Sequence, residues 1–488
     1  MKNKIKFLPI ITTMFFVLSA IFFSIFAYYD VYYGDVETEQ LMFTLMKNEG
    51  TSPEMVKAVL PFIVIPAIIF ITIFLYIYFS SRKGFTYKAI STKTKRWVAF
   101  ILSIVMLFST TTALFNSIGI GEFISYQFKD STFIEDNYVN PKTTNIVFPE
   151  NKKNVILLFT ESMESSFASK EDGGILDVNV IPELTKLANE NVHFSNTNKL
   201  GGALSGYGTT WTTAGIVAHT FGLPLKTLPN DYGDNESFLP NAYTLFEILK
   251  DNGYNLLSTK GSDIEFGGLG QMLKDHGNIS HYDYYAAVED GKIPEDYYRF
   301  WGYEDKKLFE YVKEQATELS SKSEPFMLMI ETVDTHFPDG YVCDDCKTVF
   351  GDQYSNVLNC SDKQIYNFVE WCKTQMWYED TVIIITGDHL TMKSNYIVDD
   401  DSYTRTTYNC FINSAITPDK SVTQNRQFGT IDMFPTILAA MGCKIEGEKL
   451  GLGTNLFSKS QTLYEKYGYD FVDKELRKKS MFYTSDLM

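Results

Sequence analysis

The sequence has few positively charged residues for its size. Its 488 residues include 43 lysines and arginines against 60 aspartates and glutamates, which gives a formal net charge of −17 at pH 7. A protein that binds nucleic acid needs a basic surface that can replace the counterions of the phosphates. The composition therefore excludes nucleic acid from the expected partners.

Cysteine is scarce as well. The chain contains six, namely Cys343, Cys346, Cys360, Cys372, Cys410 and Cys443. An even number allows one or two disulfides if this part of the chain lies outside the cytoplasm. The spacing of Cys343 and Cys346 is that of half a zinc site, but no second pair of cysteines or histidines has a suitable spacing. A zinc site is therefore the less favoured alternative.

Long apolar runs are confined to the first 120 residues. Three segments, Phe7–Tyr29, Val56–Phe79 and Trp97–Gly119, each reach the roughly 20 residues that a helix needs to span a bilayer. The first is too long for the core of a signal peptide and lacks a small-x-small cleavage site, so we expect it to be retained. The sequence thus predicts a three-helix transmembrane region within residues 1–120.

The charges of the connecting loops predict how these segments are oriented. Acidic residues dominate the first connection, whereas basic residues crowd the second: Arg82, Lys83, Lys88, Lys93, Lys95 and Arg96. Because basic loops remain in the cytoplasm, the N-terminus is expected there too. An odd number of spans then places the rest of the chain outside. We expect a multi-pass protein of the cell membrane with an extracytoplasmic domain.

The remaining chain divides into three parts. Residues 121–150 are polar and aromatic with little periodicity, and we interpret them as a linker. From Asn154 onward, short apolar runs alternate with amphipathic stretches, as in an α/β domain with a mainly parallel sheet. The sequence predicts this domain over residues 151–460 and a charged tail over residues 461–488.

Several apolar runs of strand length end in polar, reactive residues. Four such runs lead into Thr160-Glu161-Ser162, Ser258-Thr259-Lys260-Gly261-Ser262-Asp263, Glu331-Thr332-Val333-Asp334-Thr335-His336 and Thr386-Gly387-Asp388-His389. In an open parallel sheet, ligands bind beyond the carboxyl ends of the strands, so these ends are expected to converge. Glu161, Asp388 and His389 offer two carboxylates and an imidazole, a set suited to Mn²⁺, Zn²⁺ or, less well, Mg²⁺. Each alone could be a cap or a turn, but their joint occurrence favours a metal site.

A glycine-rich loop supplies candidate nucleophiles. Ser205–Leu225 is interpreted as a tight loop leading into a helix, with Thr209, Thr210, Thr212 and Thr213 at its mouth. The free N–H groups and positive dipole of a helix N-terminus attract anions. A threonine there usually only caps the helix. If Thr212 were a metal ligand, however, the metal would lower the pKa of its hydroxyl and make it a nucleophile.

The order of these motifs resembles a known family. The chain contains, in the family's order and with compatible spacing, NVILLFTES, GTTWTTAGIVAHTFGLPL, WGYEDKKLF, ETVDTHFP, ITGDHL and DMFPTILAAMG. They look like the sulfatase-type, alkaline-phosphatase-like ectodomain, in the branch of lipoteichoic acid synthase and of the phosphoglycerol transferases that decorate periplasmic glucans. The resemblance covers roughly Ile134 to Ser458 and implies an αβα sandwich. The Cys-x-Pro-x-Arg signature of sulfatases is absent, which disfavours sulfate ester cleavage through a formylglycine.

The resemblance implies roles for the residues singled out above. It assigns Glu161, Asp388 and His389 to one divalent metal, with Mn²⁺ as the first choice and Mg²⁺ or Zn²⁺ as alternatives. It also implies that Thr212 is both a metal ligand and the nucleophile, because the family's pattern places this threonine directly after a tryptophan. Thr213 is the main alternative, and the other threonines of the loop are weaker ones.

Further residues are expected near the transferred group. His336 matches the family's histidine beside the phosphoryl oxygens, where it would hydrogen-bond them or protonate the leaving alcohol. Lys260 and Asp263 lie in a region that contacts the glycerol phosphate head in the family, and Trp301 belongs to a signature that is either structural or substrate-binding. The chain departs from the family at Phe266–Gly270, which leaves the head group open. The other histidines are predicted to pack or to lie at the surface: His193, His219, His276 and His281.

The resemblance also concerns the cysteines. The segment around Cys360 looks like a family segment with a cysteine in the same place, which implies a disulfide to Cys346, with Cys343 as an equal alternative. Such a bond would close a loop beside His336 and contribute ~3 kcal/mol of stability.

These features together predict a membrane-anchored, metal-dependent phosphoglycerol transferase. The expected donor is phosphatidylglycerol of the membrane, and the expected acceptor is a hydroxyl of a cell-envelope glucan, teichoic-type polymer or glycolipid. Two alternatives stay open. One is a phosphoethanolamine transferase on the same fold, and the other is a catalytically silent membrane scaffold that binds envelope polymer.

Overall fold

A computed structural model describes residues 7–32, 36–46, 53–80, 92–226, 237–392, 396–397 and 402–488. These residues form two compact units. The first, here called the helical unit, comprises Met1–Thr38 and Ser52–Ile124. The second, here called the α/β unit, comprises Glu39–Thr51 and Ser125–Met488.

The helical unit is built from long apolar helices. The first five helices of the chain are α1 (Phe7–Tyr32), α2 (Thr38–Met46), α3 (Pro53–Ser80), α4 (Thr92–Ser117) and α5 (Ile120–Gln127). Helix α1 packs on α4 with the ring centroids of Phe15 and Phe100 6.1 Å apart. It also contacts α3, where the rings of Tyr28 and Phe62 are 5.4 Å apart. Most of α2 belongs instead to the α/β unit.

Two segments of the described chain are long and apolar enough to cross a membrane. Leu8–Val31 in α1 has a mean hydropathy of 2.4, and Thr94–Ser117 in α4 one of 2.2. The apolar part of α3 that passes the same search, Leu60–Thr72, is shorter. Helices therefore occur at all three predicted places, but only two of them meet the criterion for a span. The second span stays a prediction.

The α/β unit combines short strands with helices of moderate length. Its strands are β1 (Ile146–Val147), β2 (Asn154–Thr160), β3 (Ala203–Leu204), β4 (Asn255–Lys260), β5 (Ser280–Tyr282), β6 (Phe326–Glu331), β7 (Thr381–Gly387), β8 (Thr406–Thr407), β9 (Asn409–Ile412), β10 (Lys444–Ile445), β11 (Lys449–Leu450) and β12 (Gly453–Thr454). Its further helices are α6 (Phe133–Asn137), α7 (Pro182–Glu190), α8 (Thr212–Phe221), α9 (Leu245–Asp251), α10 (Leu269–Asp275), α11 (Tyr284–Glu289), α12 (Asp305–Ser320), α13 (Gln353–Lys373), α14 (Lys420–Thr423), α15 (Met433–Ala440), α16 (Leu463–Tyr467) and α17 (Tyr469–Arg477).

The main sheet has six strands in the order β5-β4-β6-β2-β7-β9. Neighbouring strands from β5 to β7 run parallel, and only the edge strand β9 is antiparallel to its neighbour β7. The sheet is therefore mixed, and the expectation of a mainly parallel sheet is confirmed. The central strand β2 is apolar from Val155 to Phe159, as expected for a strand whose two faces are both covered by helices.

Alternate residues of β2 contribute to two separate hydrophobic cores. Leu157 packs in a core with Ile216 of α8 on one face of the sheet. Ile156 packs in a second core with Leu358 of α13 on the other face. All are fully buried, and such a side chain contributes about 1.5–3 kcal/mol by leaving water. The sheet thus lies between two helical layers, as the predicted αβα sandwich requires.

The α/β unit also includes most of the segment 121–150 and all of the segment 461–488, which flank the predicted domain. In the segment 121–150, Phe133 and Ile134 are buried in the first of the two cores, and β1 pairs with β10. In the segment 461–488, Val472 and Leu476 of α17 are buried in the same core. These apolar positions are hard to recognise in the sequence. The buried face of a short helix has few residues, and in α17 charged residues surround them.

Helix α8 lies unusually close to the end of β7. A Cβ atom added at Gly215 would lie 2.2 Å from the carbonyl oxygen of Asp388, so only glycine fits there. The helix ends at Gly222, whose φ of 64° is left-handed and suits glycine. These two glycines fix the position of the helix N-terminus relative to the sheet.

Candidate active site and metal centre

The carboxyl ends of four parallel strands, β2, β4, β6 and β7, are aligned at the same end of the sheet. Phe159 of β2 is in register with Glu331 of β6 and with Thr386 of β7. Lys260 of β4 is in register with the same Glu331. The polar residues that end or follow these strands therefore meet, which confirms the convergence expected from the sequence.

The three predicted metal ligands lie together. One ligand atom from each of Glu161, Asp388 and His389 falls within 4.8 Å of the others, and all three residues are buried. His389 Nε2 is 3.6 Å from Glu161 Oε1 and 3.4 Å from Asp388 Oδ2. This arrangement offers two oxygens and one nitrogen to a common point.

The hydrogen bonds of these residues leave suitable atoms available for a cation. Asp388 Oδ1 accepts from the backbone N–H groups of Ser162 and His389, each at 2.8 Å. Asp388 Oδ2 is buried and forms no hydrogen bond with the described residues, which is unfavourable unless a cation binds it. His389 Nδ1 donates to the Leu390 carbonyl at 2.8 Å, which leaves the lone pair on Nε2 facing the carboxylates. The donor set fits a divalent metal.

Burial and mutual charge shift the pKa values of all three groups. Burial raises the pKa of Asp388 to about 6, and the nearby carboxylate of Glu161 adds to that rise. Burial also raises the pKa of Glu161. Burial lowers the pKa of His389, but the carboxylates of Asp388 and Glu161 outweigh it, so its net shift is upward. Uncompensated negative charge thus accumulates at this point, and a divalent cation would offset it.

Thr212 is the threonine of the glycine-rich loop that faces the three ligands. It is the first residue of α8, and its Oγ1 lies 3.3 Å from Glu161 Oε2 and 3.4 Å from His389 Nε2. The Thr213 hydroxyl is buried and donates to the Gly267 carbonyl, and the Thr209 hydroxyl donates to the Gly206 carbonyl. The geometry therefore brings Thr212, and neither of these two, to the metal ligands.

His336 lies in the loop after β6, beside Trp301. The ring centroids of the two residues are 4.8 Å apart, and His336 Nδ1 lies 3.0 Å from the Phe337 carbonyl oxygen. Since a carbonyl only accepts, Nδ1 carries the proton and Nε2 is an acceptor in the neutral ring. Burial of the ring lowers the pKa of His336 to about 4, so the imidazole is neutral at pH 7. Asp305 holds this loop by accepting from the N–H groups of Val333 and Asp334 at 2.8 and 3.1 Å.

The residues predicted to bind substrate have different contacts in the structure. Lys260 Nζ forms a buried ion pair with Glu331 Oε1 at 2.6 Å. Trp301 is buried against His336 and Phe266. Asp263 Oδ1 accepts from the backbone N–H of Glu265 at 2.9 Å and so stabilises a turn. Contact of these residues with a substrate stays a prediction.

Glu331 was not identified from the sequence as a site residue. It ends β6, its second oxygen Oε2 is buried without a partner among the described residues, and burial raises its pKa. Glu331 is in register with Phe159, two residues before Glu161, so its side chain lies at the same end of the sheet as the candidate ligands. Its position directly after an apolar run is the same signal that identified Glu161.

A second contribution that the sequence did not indicate comes from α2. Phe43 is 1% exposed, and its ring centroid lies 5.7 Å from that of Trp211, the residue before Thr212. Gln40 Nε2 contacts Met392 Sδ at 3.1 Å, three residues beyond His389 in the chain. Helix α2 therefore packs beside Trp211 and Met392, which lie close in the chain to Thr212 and His389.

Two of the remaining histidines are packing residues, as predicted. His219 is buried in α8, with Nδ1 2.7 Å from the Gly215 carbonyl oxygen and Nε2 3.0 Å from Thr386 Oγ1. His276 is also buried and lies 2.7 Å from both Glu247 Oε1 and the Phe238 carbonyl oxygen. Both rings have their two nitrogens engaged by protein atoms.

Comparisons with known proteins agree with the geometry. The family model described as Sulfatase matches residues 153–443. Phosphoglycerol transferase I from two strains of Escherichia coli is 32% identical over 268 residues, which are 53% of this chain and 33% of the relative. The chain thus matches about a third of the length of these relatives.

Solved structures show the same fold. A protein of the alkaline phosphatase superfamily from Vibrio parahaemolyticus has a TM-score of 0.54 and 19% identity, covering 70% of this chain and 81% of its own. The lipoteichoic acid synthase LtaP from Listeria monocytogenes has a TM-score of 0.51 and 17% identity, covering 67% and 81%. The lipooligosaccharide phosphoethanolamine transferase A from Neisseria meningitidis has a TM-score of 0.53 and 14% identity, covering 89% and 84%. Because the family model matches more than half of its length, the chain belongs to the sulfatase family.

Proposed function

We propose that this chain is a membrane-anchored phosphoglycerol transferase, which moves glycerol phosphate from phosphatidylglycerol to a hydroxyl of a cell-envelope polysaccharide or glycolipid. The observation that carries the proposal is the position of Thr212. Its hydroxyl lies at a helix N-terminus, 3.3 Å from Glu161 and 3.4 Å from His389. The similarity of the chain to phosphoglycerol transferase I supports this choice of donor and transferred group.

In the first step, Thr212 Oγ1 attacks the phosphorus of the lipid in line with the diacylglycerol oxygen. The threonine loses its proton, the bond from phosphorus to the diacylglycerol oxygen breaks, and that oxygen takes up a proton. A phosphoglycerol-threonine diester remains. The first N–H groups of α8, which have no partner inside the helix, point toward the phosphoryl oxygens and stabilise their charge.

In the second step, the acceptor hydroxyl displaces Thr212 and receives glycerol phosphate. His336 Nε2 is an acceptor in the neutral ring, so it takes the proton of the attacking hydroxyl as a general base. The ring is held for this role by its Nδ1 contact with Phe337 and by Trp301, whose ring centroid lies 4.8 Å away. Protonation of the leaving alcohol, the alternative expected from the sequence, needs a ring that is charged before the reaction begins, whereas the low pKa of His336 keeps it neutral.

Glu161, Thr212, Asp388 and His389 would hold one divalent cation, Mn²⁺ by preference. When bound, it would supply Lewis acidity that lowers the pKa of the Thr212 hydroxyl and balances charge on the phosphoryl group. The unpaired oxygen of Asp388 and the lone pair of His389 Nε2 support this assignment. The orientation of Asp388 does not depend on a bound cation, because the backbone N–H groups of Ser162 and His389 donate to its Oδ1 atom.

The proposal places the enzyme in the cell membrane. Helices α1 and α4 are long and apolar enough to span a bilayer, and we propose α3 as a third span. The loop charges then put the N-terminus in the cytoplasm and the α/β unit outside. Tethering keeps the site near the lipid head groups, which matters because an acidic chain gains no attraction from an anionic lipid.

The proposal is tested by following diacylglycerol release from phosphatidylglycerol by the full-length protein in detergent with Mn²⁺. Thr212→Val should abolish release, because valine keeps the shape of the side chain but has no hydroxyl. Thr213→Val removes the neighbouring hydroxyl and serves as the matched control, for which release should persist. Release that survives Thr212→Val would refute the assigned nucleophile.

One observation favours phosphatidylethanolamine as a second candidate donor. Glu331 Oε2 is a buried carboxylate oxygen without a hydrogen-bond partner among the described residues. It would bind the ammonium group of that lipid more strongly than a neutral glycerol hydroxyl, because hydrogen bonds between charged groups are stronger. Comparing the two lipids as donors under the same conditions separates the two functions. Turnover of phosphatidylethanolamine alone would establish the second, and silence with both lipids would favour a scaffold without activity.

A further inference from the structure

Three cysteines that are far apart from the proposed metal ligands in the sequence meet in space. Cys343 and Cys346 lie on the loop that follows β6, and Cys360 lies on α13. Cys343 Sγ is 3.6 Å from Cys346 Sγ and 3.7 Å from Cys360 Sγ. The three sulfurs lie within 4.8 Å of one another, and Cys343 and Cys360 are buried. As a zinc site, the sequence indicated only the pair Cys343 and Cys346, because the spacing of Cys360 is not that of a zinc motif and this residue comes from a helix packed on the loop.

The separation of the sulfurs is that of ligands around a shared cation. Zinc binds thiolate sulfur at about 2.3 Å, so two sulfurs of a tetrahedral site lie about 3.8 Å apart. The two distances in the structure, 3.6 and 3.7 Å, are close to this expected separation of two sulfurs. A disulfide would use two of the three sulfurs and bring them to about 2.05 Å. Here one sulfur lies at nearly equal distances from the other two.

The local backbone brings the two cysteines of the loop together. Cys346 N–H donates to the Cys343 carbonyl at 3.1 Å, which closes a tight turn. A turn of the form Cys-x-x-Cys is the usual half of a zinc site.

A side chain of α13 offers a fourth ligand. Gln364 Nε2 lies 3.5 Å from Cys360 Sγ and 3.8 Å from Cys343 Sγ. Its amide oxygen Oε1 is buried and has no partner among the described residues. Half a turn about the last bond of the side chain would exchange the two atoms and present Oε1 to the sulfurs. A water molecule could take the same position.

We propose that Cys343, Cys346 and Cys360 bind a second divalent cation of the zinc class, separate from the site at Thr212. Three thiolates select a borderline soft metal such as Zn²⁺ over Mg²⁺ or Mn²⁺, which prefer oxygen ligands. Its role is structural, since it ties the loop after His336 to α13. The disulfide of Cys360 with Cys346 or Cys343 that the resemblance implies would use the same sulfurs as the metal site, so the two exclude each other.

The test uses full-length protein in detergent, purified without reductant or chelator and loaded with Co²⁺. A cobalt–thiolate centre absorbs through sulfur-to-metal charge transfer, which the oxygen and nitrogen ligands of the other site cannot produce. We expect one such centre per chain in the native protein and in Asp388→Asn, and its loss in Cys346→Ser. Cys372→Ser, which alters a buried cysteine of the same helix α13, should keep it.

Two results would overturn the proposal. The first is a disulfide between any two of the three cysteines in native protein that lacks the charge-transfer band. Mass spectrometry of unreduced peptides would detect it.

The second result comes from alkylation of the native, zinc-loaded protein, an experiment that needs no variant and so does not depend on whether a variant folds. The proposal requires that iodoacetamide modifies these three cysteines only after a chelator is added. Equal modification without the chelator contradicts it.

Discussion

Replacement of Gly215 by alanine should displace the nucleophile and lower kcat strongly, while it changes the free energy of unfolding only slightly. The added Cβ would lie 2.2 Å from the carbonyl oxygen and 2.9 Å from the carbonyl carbon of Asp388. These are backbone atoms at the end of a central strand, so the strand is expected to hold and α8 to move. A shift of about 1 Å is needed to bring the nearest contact to the 3.4 Å of ordinary packing.

The magnitude of each effect follows from this shift. Alanine favours a helix over glycine by about 1 kcal/mol, and overpacking costs about 1–3 kcal/mol, so the free energy of unfolding should fall by only about 0–2 kcal/mol. Thr212 lies three residues before Gly215 on the same helix, and its 3.3 Å and 3.4 Å contacts with Glu161 and His389 would be lost. Misplacement of a reacting group by about 1 Å lowers kcat on the order of 10²-fold.

The assay compares kcat for diacylglycerol release with the midpoint of thermal unfolding. Gly351→Ala is a suitable control, because a Cβ there meets no atom within 4 Å and its φ is not left-handed. We expect native activity and stability for the control, and a nearly native unfolding midpoint with about 100-fold lower kcat for Gly215→Ala. Native activity in Gly215→Ala would refute the argument that close contact of α8 with β7 positions Thr212.

Further predictions concern the metal ligands and the residues around them. Metal affinity, measured by calorimetry, should fall about tenfold per pH unit below about pH 6, because the raised pKa of Asp388 lets a proton compete with the metal there, and affinity that is constant down to pH 5 would contradict this. Glu331→Gln should lower the free energy of unfolding by about 3–5 kcal/mol because it leaves the buried Lys260 ammonium unpaired. Adding Lys260→Met to that variant should recover part of the loss, whereas a further additive loss would show that the two do not form a pair. His336→Asn should lower kcat by about 10²–10⁴-fold with unchanged metal content, and lost metal would instead assign His336 to the metal centre.

The main elements of the site could be predicted from the sequence because they obey a local rule. Each of Glu161, Asp388 and His389 follows an apolar run of strand length, and the parallel sheet brings such positions to one edge. Thr212 could be selected from its neighbours only through the resemblance to a family, since all four threonines share the same loop. The structure then distinguishes it by its distances to the metal ligands.

Other features depend on packing between distant segments, which no local pattern encodes. Phe43 lies in a short polar connection and becomes 1% exposed only because α2 folds against Trp211. Val472 and Leu476 occupy one face of an otherwise charged helix, so their burial was hidden by composition. Cys360 joins Cys343 only through the packing of α13 on the loop after β6. In each case the information lies in a tertiary contact rather than in periodicity.

The most direct test of the account is to look for the covalent intermediate on Thr212. The full-length protein would be incubated with phosphatidylglycerol and Mn²⁺ without an acceptor, digested, and examined by mass spectrometry. The account predicts a glycerol phosphate adduct on the peptide that contains Thr212, present in Thr213→Val and absent in Thr212→Val. Diacylglycerol release without any adduct, or an adduct on another residue, would contradict the central claim that Thr212 is the nucleophile.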